Sequence, residues 1–489
     1  NPTVYEMLRN GGLITDLADI FYDLNDELQQ MYLEEYYSTL QTCMVEGSLY
    51  ALPSPSNPYE FAKKIYIRKD WLALCGKEVP ATYEQLIDVA KAFKTNAAAI
   101  AAVTSNVSES QIVPIGIHKD LAYVDNYGPT GLFELFGAQV GAYLPEGDTL
   151  TAANTSANMK AGLAAVTQMY ADGLIAREFY TKSSANIATD VIAGKVGIIF
   201  GDWWIPEYPL GMSVINAGTP TADWVGIDLV GPNGGTALPI VKPISVSTYN
   251  MVSKTTAHPE AVARLLNLFY DVYYNDDALR LYGDKSTAAG GFFHNWIPIK
   301  VWNSSASIQE HKRVMSVFDD LFEAGYRVPN LSVALTDANV AAVEQHAEYG
   351  EIFNRLKARE KALHFIKGYP YFQSQQFGVE VKNMTAVAKA GFGIFEEMIA
   401  YNGGYAYVAA LSSGEKTAKY NMFYGTATKT MQSKGEYLNT MLVTYFSKVI
   451  VGEESISKWD GFVNDYNKNG GTKILQEVAA WYAGQPKLS

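Results

Sequence analysis

The chain has 489 residues, of which 48% are hydrophobic and 18% are charged, which is enough for two or three domains with large cores. Its net charge of −13, without any basic cluster, argues against nucleic acid and anionic membranes as partners. Two cysteines, Cys43 and Cys75, exclude a disulfide scaffold, and no apolar run is long enough to span a membrane.

Strand and helix patterns alternate through the first half of the chain. Thr82 and Gln85 form a capping box, after which Leu86, Ala90 and Phe93 recur at helical spacing. Three strand-like segments are VPIGI from residue 113, VGIIF from residue 196 and VSTYNMV from residue 246. This mixture predicts an α/β fold with largely buried sheets.

A further helix is predicted in the segment AHPEAVARLLNLFYD. Pro259 suits the first helical position, and Glu260 suits the first turn, where a carboxylate complements the helix dipole. Its apolar face comprises Val262, Leu265, Leu266 and Phe269. His258 is interpreted as a residue at the helix start rather than as a ligand.

The character of the chain changes from about residue 305, where long helical patterns dominate. Near the end, an apolar stripe stops at Gly470 and Gly471, and Thr472 is predicted to cap a last helix. The stripe consists of Trp459, Phe462, Val463 and Tyr466. Because no Pro/Ser-rich linker occurs, short crossings are expected between the lobes.

Sequence motifs of common catalytic sites are missing. There is no Walker-type phosphate loop, HExxH helix, complete dinucleotide fingerprint or GxSxG elbow. The six histidines are scattered, without a pair at metal-ligand spacing. The sequence therefore predicts a protein that is not an enzyme and that has no cofactor or metal site.

One short segment suggests a ligand site. In GKVGIIFGDWWIPEYPL, a buried strand is followed directly by Asp202, Trp203 and Trp204. The chain is also rich in tyrosine and tryptophan, with 33 and 8 residues, whose rings combine an apolar face with a polar edge that suits sugars. Packing in a core remains the alternative for any single ring. A second alternative makes Asp202 and Glu207 the acid and nucleophile of a glycosidase.

Four segments together resemble the extracellular solute-binding proteins of ABC importers, specifically the large Gram-positive lipoprotein type related to maltodextrin-binding proteins. They are GSLYALPSPSNPYEFAKKIYIRKDWLALCGKEVPATYEQLIDVAKAF (residues 47–93), GKVGIIFGDWW (194–204), HPEAVARLLNLFYD (258–271) and the C-terminal LVTYFSKVIVGEESISKWDGFVNDYNKNGGTKILQEVAAWY (442–482). They occur in the family's order across most of the chain.

The resemblance implies a two-lobe, periplasmic-binding-protein-like fold of type II, with a ligand cleft between the lobes and a helix-rich C-terminal part. Residues 1–111 and 245–320 are assigned to the first lobe, and residues 112–244 and 321–489 to the second. The chain is expected to cross between lobes near residues 110, 245 and 320. The family's first strand–helix unit has no counterpart in this sequence, so we expect either that this unit lies upstream of Asn1 or that the first lobe is built differently.

The resemblance also implies which residues contact the ligand. Trp203 aligns with the family's sugar-stacking aromatic, Asp202 is then a hydrogen-bond acceptor, and Trp204 either faces the cleft or points into the core. Weaker candidates follow from position on the crossing segments and strand ends, with packing as the alternative for each. These are Asn57, Tyr59, Asp125, Tyr127, Tyr249 and Trp296.

The implied function is capture of a solute, most simply a sugar or oligosaccharide, for delivery to the permease subunits of an ABC importer. The protein is expected to be a monomer that binds no nucleic acid. A lipid anchor upstream of Asn1 is expected to hold it on the outer surface of a Gram-positive cell. Such tethering keeps the protein concentrated beside its permease.

Overall fold

The computed structural model describes residues 2–56, 58–147, 149–215, 222–242, 245–274, 299–301 and 404–484. These residues form mixed helix and sheet, as the sequence predicts. Among the described helices, none combines the length and apolar character that crossing a membrane requires.

Twelve short strands are described. They are β1 Met44–Val45, β2 Ser48–Leu49, β3 Leu52–Ser56, β4 Lys64–Arg68, β5 Val113–Ile115, β6 Tyr143–Glu146, β7 Thr149–Ala152, β8 Val196–Gly201, β9 Trp224–Ile227, β10 Ile240–Val241, β11 Ser245–Asn250 and β12 Lys419–Tyr420. The three strands predicted from sequence correspond to β5, β8 and β11.

Fifteen α-helices are described. They are α1 Pro2–Asn10, α2 Asp26–Gln30, α3 Tyr37–Thr42, α4 Lys69–Leu74, α5 Tyr83–Thr95, α6 Ala97–Ala102, α7 Thr130–Glu134, α8 Ala157–Ala171, α9 Ser184–Ile192, α10 Gly211–Ile215, α11 Ala261–Tyr274, α12 Gly404–Ser412, α13 Lys429–Ile450, α14 Trp459–Tyr466 and α15 Thr472–Ala483.

The described residues divide into two compact units. Unit 1 contains those within 2–58, 245–274, 299–301 and 425–427, and unit 2 contains those within 59–242, 404–424 and 428–484. The first boundary therefore falls after Pro58, not near residue 111 as expected, because β4 pairs with β8 and β9 of unit 2. The second boundary falls beside the predicted crossing near 245. The predicted crossing near 320 lies outside the described residues.

Unit 1 is built around an antiparallel pair of strands, β3 and β11, in which Leu52 lies opposite Asn250. Its core joins residues of the first 52 positions to Val262, Leu266 and Phe269 of α11. Those three positions share the apolar face that the sequence predicted for this helix, although α11 begins two residues after Pro259.

Unit 2 contains a four-stranded mixed sheet in the order β5-β8-β4-β9. β8 runs parallel to β5 and antiparallel to β4, which is antiparallel to β9. All residues of β4 and β8 are buried, as expected for central strands covered on both faces. At Gly131, a Cβ atom would collide with Phe200, so only glycine lets α7 approach β8 this closely.

The helical predictions in unit 2 are largely confirmed. Thr82 caps α5 by accepting a hydrogen bond from the Gln85 amide, and Leu86, Ala90 and Phe93 are buried. On α14, Trp459, Phe462 and Tyr466 are buried as one stripe. Thr472 differs from the prediction, since it is the first residue of α15 and makes no side-chain cap. A wide turn through Gly470, at φ 142°, links the two helices instead.

Candidate functional site

The candidate site of unit 2 lies where β8 ends. β5 and β8 are parallel, so the segments that follow them emerge at the same edge of the sheet, which is where α/β sheets commonly bind ligands. The segment after β8 is the GDWW loop, residues 201–204, and the segment after β5 is the 116–129 loop. Gly201 permits a tight turn, because a Cβ atom there would collide with Ile205.

A buried polar network joins these two loops. The Lys63 ammonium lies 2.6 Å from Oδ1 of Asp202 and donates to Oδ1 of Asn126 at 3.1 Å. Asn126 donates to Oδ2 of Asp202 at 3.0 Å and accepts the Asp202 amide at 2.9 Å. We call Lys63, Asn126 and Asp202 the buried triad. Each is less than 8% exposed, so the desolvated charges depend on one another for compensation.

This network defines what Asp202 does in the described structure. Its carboxylate satisfies both Lys63 and Asn126, and its carbonyl accepts the Tyr66 hydroxyl at 2.8 Å. Both carboxylate oxygens therefore already have protein partners, which favours a role in holding the loops over direct ligand contact. The same pairing weakens the glycosidase alternative, because a catalytic carboxylate must reach its substrate.

The two tryptophans of the GDWW loop have different surroundings. Trp203 is half-buried, and its backbone lies against Gly404, the first residue of α12, where a Cβ atom would collide with it. Trp204 is also half-buried and packs against a cluster that includes Tyr66, Ile199 and Trp224. This packing favours the core-facing alternative for Trp204, and contact of either ring with ligand stays a prediction.

The two candidates in the 116–129 loop, Asp125 and Tyr127, also differ in their exposure to solvent. The Asp125 side chain is 48% exposed, although its Oδ1 accepts the Asn126 amide at 2.7 Å and its Oδ2 lies 3.8 Å from Nε2 of His118. Tyr127 is only 3% exposed, and its hydroxyl donates to the Tyr208 carbonyl at 3.3 Å. Burial raises the pKa of Tyr127 well above its usual value. The ring is thus part of the core, and the structure does not place it at a ligand surface.

His118 fixes the base of this loop. It is completely buried, its Nδ1 accepts the Asp120 amide at 3.1 Å, and its Nε2 lies 3.2 Å from the Asn126 carbonyl. This arrangement assigns a neutral ring that donates from Nε2. Burial lowers its pKa, although the carboxylates of Asp125 and Asp120 oppose the shift.

Two further tyrosine candidates contact other aromatic residues. Tyr59 is half-buried in unit 2, where its hydroxyl bonds to that of Tyr420. Tyr249 belongs to unit 1 and stacks on Tyr5, with ring centroids 4.6 Å apart. Burial raises the pKa of Tyr249 to about 12. One face of the Tyr249 ring is therefore covered by protein.

The structure does not test the remaining candidates. Asn57 and Trp296 lie outside the described residues, and nothing is described of the Glu207 side chain. Sequence reasoning also missed two members of the triad, Lys63 and Asn126. A faint signal existed, since Lys63 is the first of two lysines before the strand pattern IYI, where a buried charge needs a partner.

Glu134 at the end of α7 is a second buried acid near the triad. It accepts hydrogen bonds from the Gln139 side chain at 2.9 Å and from the Ile240 amide. Burial raises its pKa to about 7, with the Gln139 bond and the charge of Lys63 acting in the opposite direction. The folded state therefore holds this proton more tightly than the unfolded state does.

The raised pKa of Glu134 gives a testable pH dependence. Because the folded-state pKa exceeds the usual value of 4.5, the contribution of this group is complete below pH 4.5 and is lost as the pH rises through about 7. We expect Glu134→Gln to gain stability relative to wild type as the pH rises over that interval. Urea denaturation across the range measures it, with the exposed Glu178→Gln as control. Parallel curves for wild type and Glu134→Gln would contradict the assignment.

A cavity of about 750 Å³ lies at the opposite, amino-terminal edge of β5 and β8. Two of its cationic residues are already used at the C-terminus of α8. Lys94 donates to the Asp172 carbonyl, and Arg177 lies 3.5 Å from the Ala171 carbonyl. Cations at this end of a helix stabilise its carbonyl groups, so both residues have a structural role.

The other two cations of this cavity share one carboxylate. Lys182 and Lys195 lie 2.6 Å and 3.2 Å from the two oxygens of Asp190. Each cationic side chain that lines the cavity therefore already has a protein partner. The GDWW loop and the 116–129 loop are therefore the better candidate site.

The described architecture, an α/β fold with two units, is that of the solute-binding proteins of ABC transporters. An HMO-binding, ABC-transporter-associated solute-binding protein from Bifidobacterium longum infantis matches with a TM-score of 0.58 and 16% identity, over 98% of this chain and 85% of its own. An extracellular solute-binding protein from Bifidobacterium longum subsp. infantis gives 0.57 and 15%, over 98% and 85%.

A third similar structure is the S. pneumoniae ABC-transporter substrate-binding protein FusA in complex with kestose. It matches with a TM-score of 0.54 and 14% identity, over 99% of this chain and 86% of its own. No protein-family model and no curated protein sequence matches the chain. At these identities the likeness establishes the fold, and the predicted relation to maltodextrin-binding proteins stays a prediction.

Proposed function

We propose that the protein captures a sugar or oligosaccharide outside the cell and delivers it to an ABC importer. The observation that carries this proposal is the shared fold, since one similar protein is HMO-binding and another holds kestose. The GDWW loop supports it locally, because an indole face stacks on the apolar C–H face of a sugar while neighbouring polar groups bond the hydroxyls. Asp125 supplies an exposed carboxylate close to that loop.

The proposed activity is binding without catalysis. The glycosidase alternative depends on Asp202 as a catalytic acid. The carboxylate of Asp202 is already paired with the Lys63 ammonium, which favours a structural role for it. We expect that an oligosaccharide bound by the protein is recovered intact after prolonged incubation, as measured by chromatography. Cleavage that disappears in Asp202→Asn would favour the enzyme instead.

A thermal-shift screen tests the choice of ligand, because a ligand that binds the native state raises its melting temperature. A suitable panel contains two length series, glucose with maltose to maltotetraose, and fructose with sucrose and kestose. At a concentration 100 times Kd, binding stabilises the native state by about 2.7 kcal/mol. If no sugar of the panel raises the melting temperature, the carbohydrate proposal fails.

The cellular setting belongs to the same proposal. The protein acts as a monomer, held by a lipid anchor on the surface of a Gram-positive cell beside permease subunits. Its net charge of −13 supports solubility outside the cell rather than attraction to anionic lipids. Fractionation of the native organism, with metabolic labelling by a fatty acid, tests the anchor. Recovery of unlabelled protein from the cytosol would contradict it.

A further inference from the structure

We propose that Tyr123 is a second aromatic contact for the ligand, so that the site takes an oligosaccharide and not a single sugar residue. This inference rests on the proposed function, because it assumes that the GDWW loop binds sugar. Tyr123 lies in the 116–129 loop, and neither the sequence pattern around it nor the fold by itself indicates a ligand contact there.

Tyr123 is placed beside the GDWW loop by contacts on both sides of it in the chain. Its carbonyl accepts the Thr130 hydroxyl at 3.0 Å, and Thr130 begins α7, which packs on Phe200 through Gly131. On the same loop, Asn126 of the buried triad bonds to Asp202. Both anchors connect the 116–129 loop to the last residues of β8 and the residue after it.

The reach of the chain limits how far Tyr123 lies from the triad. Two residues separate it from Asn126, which makes three Cα–Cα steps, so the two Cα atoms are at most about 11 Å apart. Trp203 directly follows Asp202, at one Cα–Cα step of about 3.8 Å. Both rings are thus attached to the same buried anchor. We expect the triad to be rigid, because a desolvated ion pair with hydrogen bonds on both partners has few alternative arrangements.

The Tyr123 ring is exposed to solvent, so a ligand can contact it. Its side chain is 57% exposed, and Val124 and Asp125 next to it are also exposed. A single exposed tyrosine is ordinary in a soluble protein. What distinguishes Tyr123 is the combination of an open ring, an adjacent carboxylate and a backbone fixed at the edge of the sheet where the GDWW loop also lies.

The chemistry of these groups suits a chain of sugar residues. The Tyr123 ring offers an apolar face, and the Asp125 carboxylate accepts hydrogen bonds from hydroxyl groups. Because Trp203 and Tyr123 belong to separate loops at one edge of the sheet, we expect them to contact different residues of the ligand. A monosaccharide would engage one ring, whereas a longer chain would engage both.

Titration calorimetry on the full chain tests this inference with the length series of whichever panel sugar raises the melting temperature. We expect affinity to increase at least tenfold from one to three sugar residues. Tyr123→Ala should lose about tenfold for the trisaccharide, the size of a moderate aromatic contact, and should leave monosaccharide affinity unchanged. Tyr123→Phe keeps the ring face and should retain most of the affinity.

Tyr180→Ala is the matched control, because Tyr180 is 52% exposed, belongs to neither loop of the candidate site and lies two positions before Lys182, which lines the cavity at the opposite edge of the sheet. It should bind every sugar like wild type. If Tyr123→Ala binds all lengths normally while Trp203→Ala loses affinity, the inference is overturned and the proposed function stands. If no panel sugar binds wild type, both are overturned.

Discussion

Replacing Lys63 with methionine is expected to lower the free energy of unfolding by about 3–5 kcal/mol, as is typical when one partner of a buried ion pair is removed. Methionine fills a similar volume without the charge. The Lys63 and Asp202 side chains are 3% and 6% exposed, so water cannot replace the lost ammonium. Urea denaturation of the full chain measures the effect.

Two control variants separate charge from packing. Lys69→Met removes an exposed lysine whose partner Asp223 lies 3.9 Å away, and it should change stability by less than about 0.5 kcal/mol. The double variant Lys63→Met/Asp202→Asn leaves no charge within the buried triad and should recover part of the loss. An unchanged unfolding curve for Lys63→Met would show that the triad does not hold the two loops together.

Trp203→Ala is expected to weaken sugar binding by about 2 kcal/mol, roughly thirtyfold, because it removes the largest aromatic face that the GDWW loop can offer. Its effect on the melting temperature of the ligand-free protein should be small, since this half-buried ring, unlike that of Trp204, is not among those packed against the cluster of Tyr66, Ile199 and Trp224. Titration calorimetry with the panel sugar that binds best, together with thermal unfolding, measures both quantities.

Trp204→Ala is the matched control on the neighbouring residue. Because Trp204 packs against the cluster of Tyr66, Ile199 and Trp224, the damage should appear in stability, by about 2 kcal/mol. That is less than the 3–5 kcal/mol typical of a fully buried tryptophan. If Trp203→Ala binds normally and melts early, the roles of the two rings are reversed. If both variants bind normally, the ligand site lies elsewhere.

The sequence by itself determined the local structure of several elements among the described residues. The strands at Val113, Val196 and Ser245 follow from short apolar or β-branched runs, and α5 follows from its cap and its apolar spacing. It also placed Asp202 and the two tryptophans directly after a buried strand. These features depend on neighbours within a few residues, and local backbone preferences and side-chain periodicity are sufficient to specify them.

Only the tertiary structure decided which segments meet. Lys63 and Asp202 are 139 positions apart, and no local pattern says that one neutralises the other. The same is true of β4, whose pairing with β8 puts residues from Tyr59 onward in unit 2. An apolar run predicts that a strand is buried. Which strand it pairs with, and in which register, is set by long-range packing.

The burial of Tyr127 has a similar cause. Its ring was a reasonable surface candidate from sequence, but its backbone adopts φ 61° and its amide donates to the Phe200 carbonyl, which turns the ring into the core. A tyrosine after a strand suits either environment, because its ring is apolar and its hydroxyl polar. The sequence thus predicted candidate residues for ligand contact, and the three-dimensional packing determined which of them are already used by the protein itself.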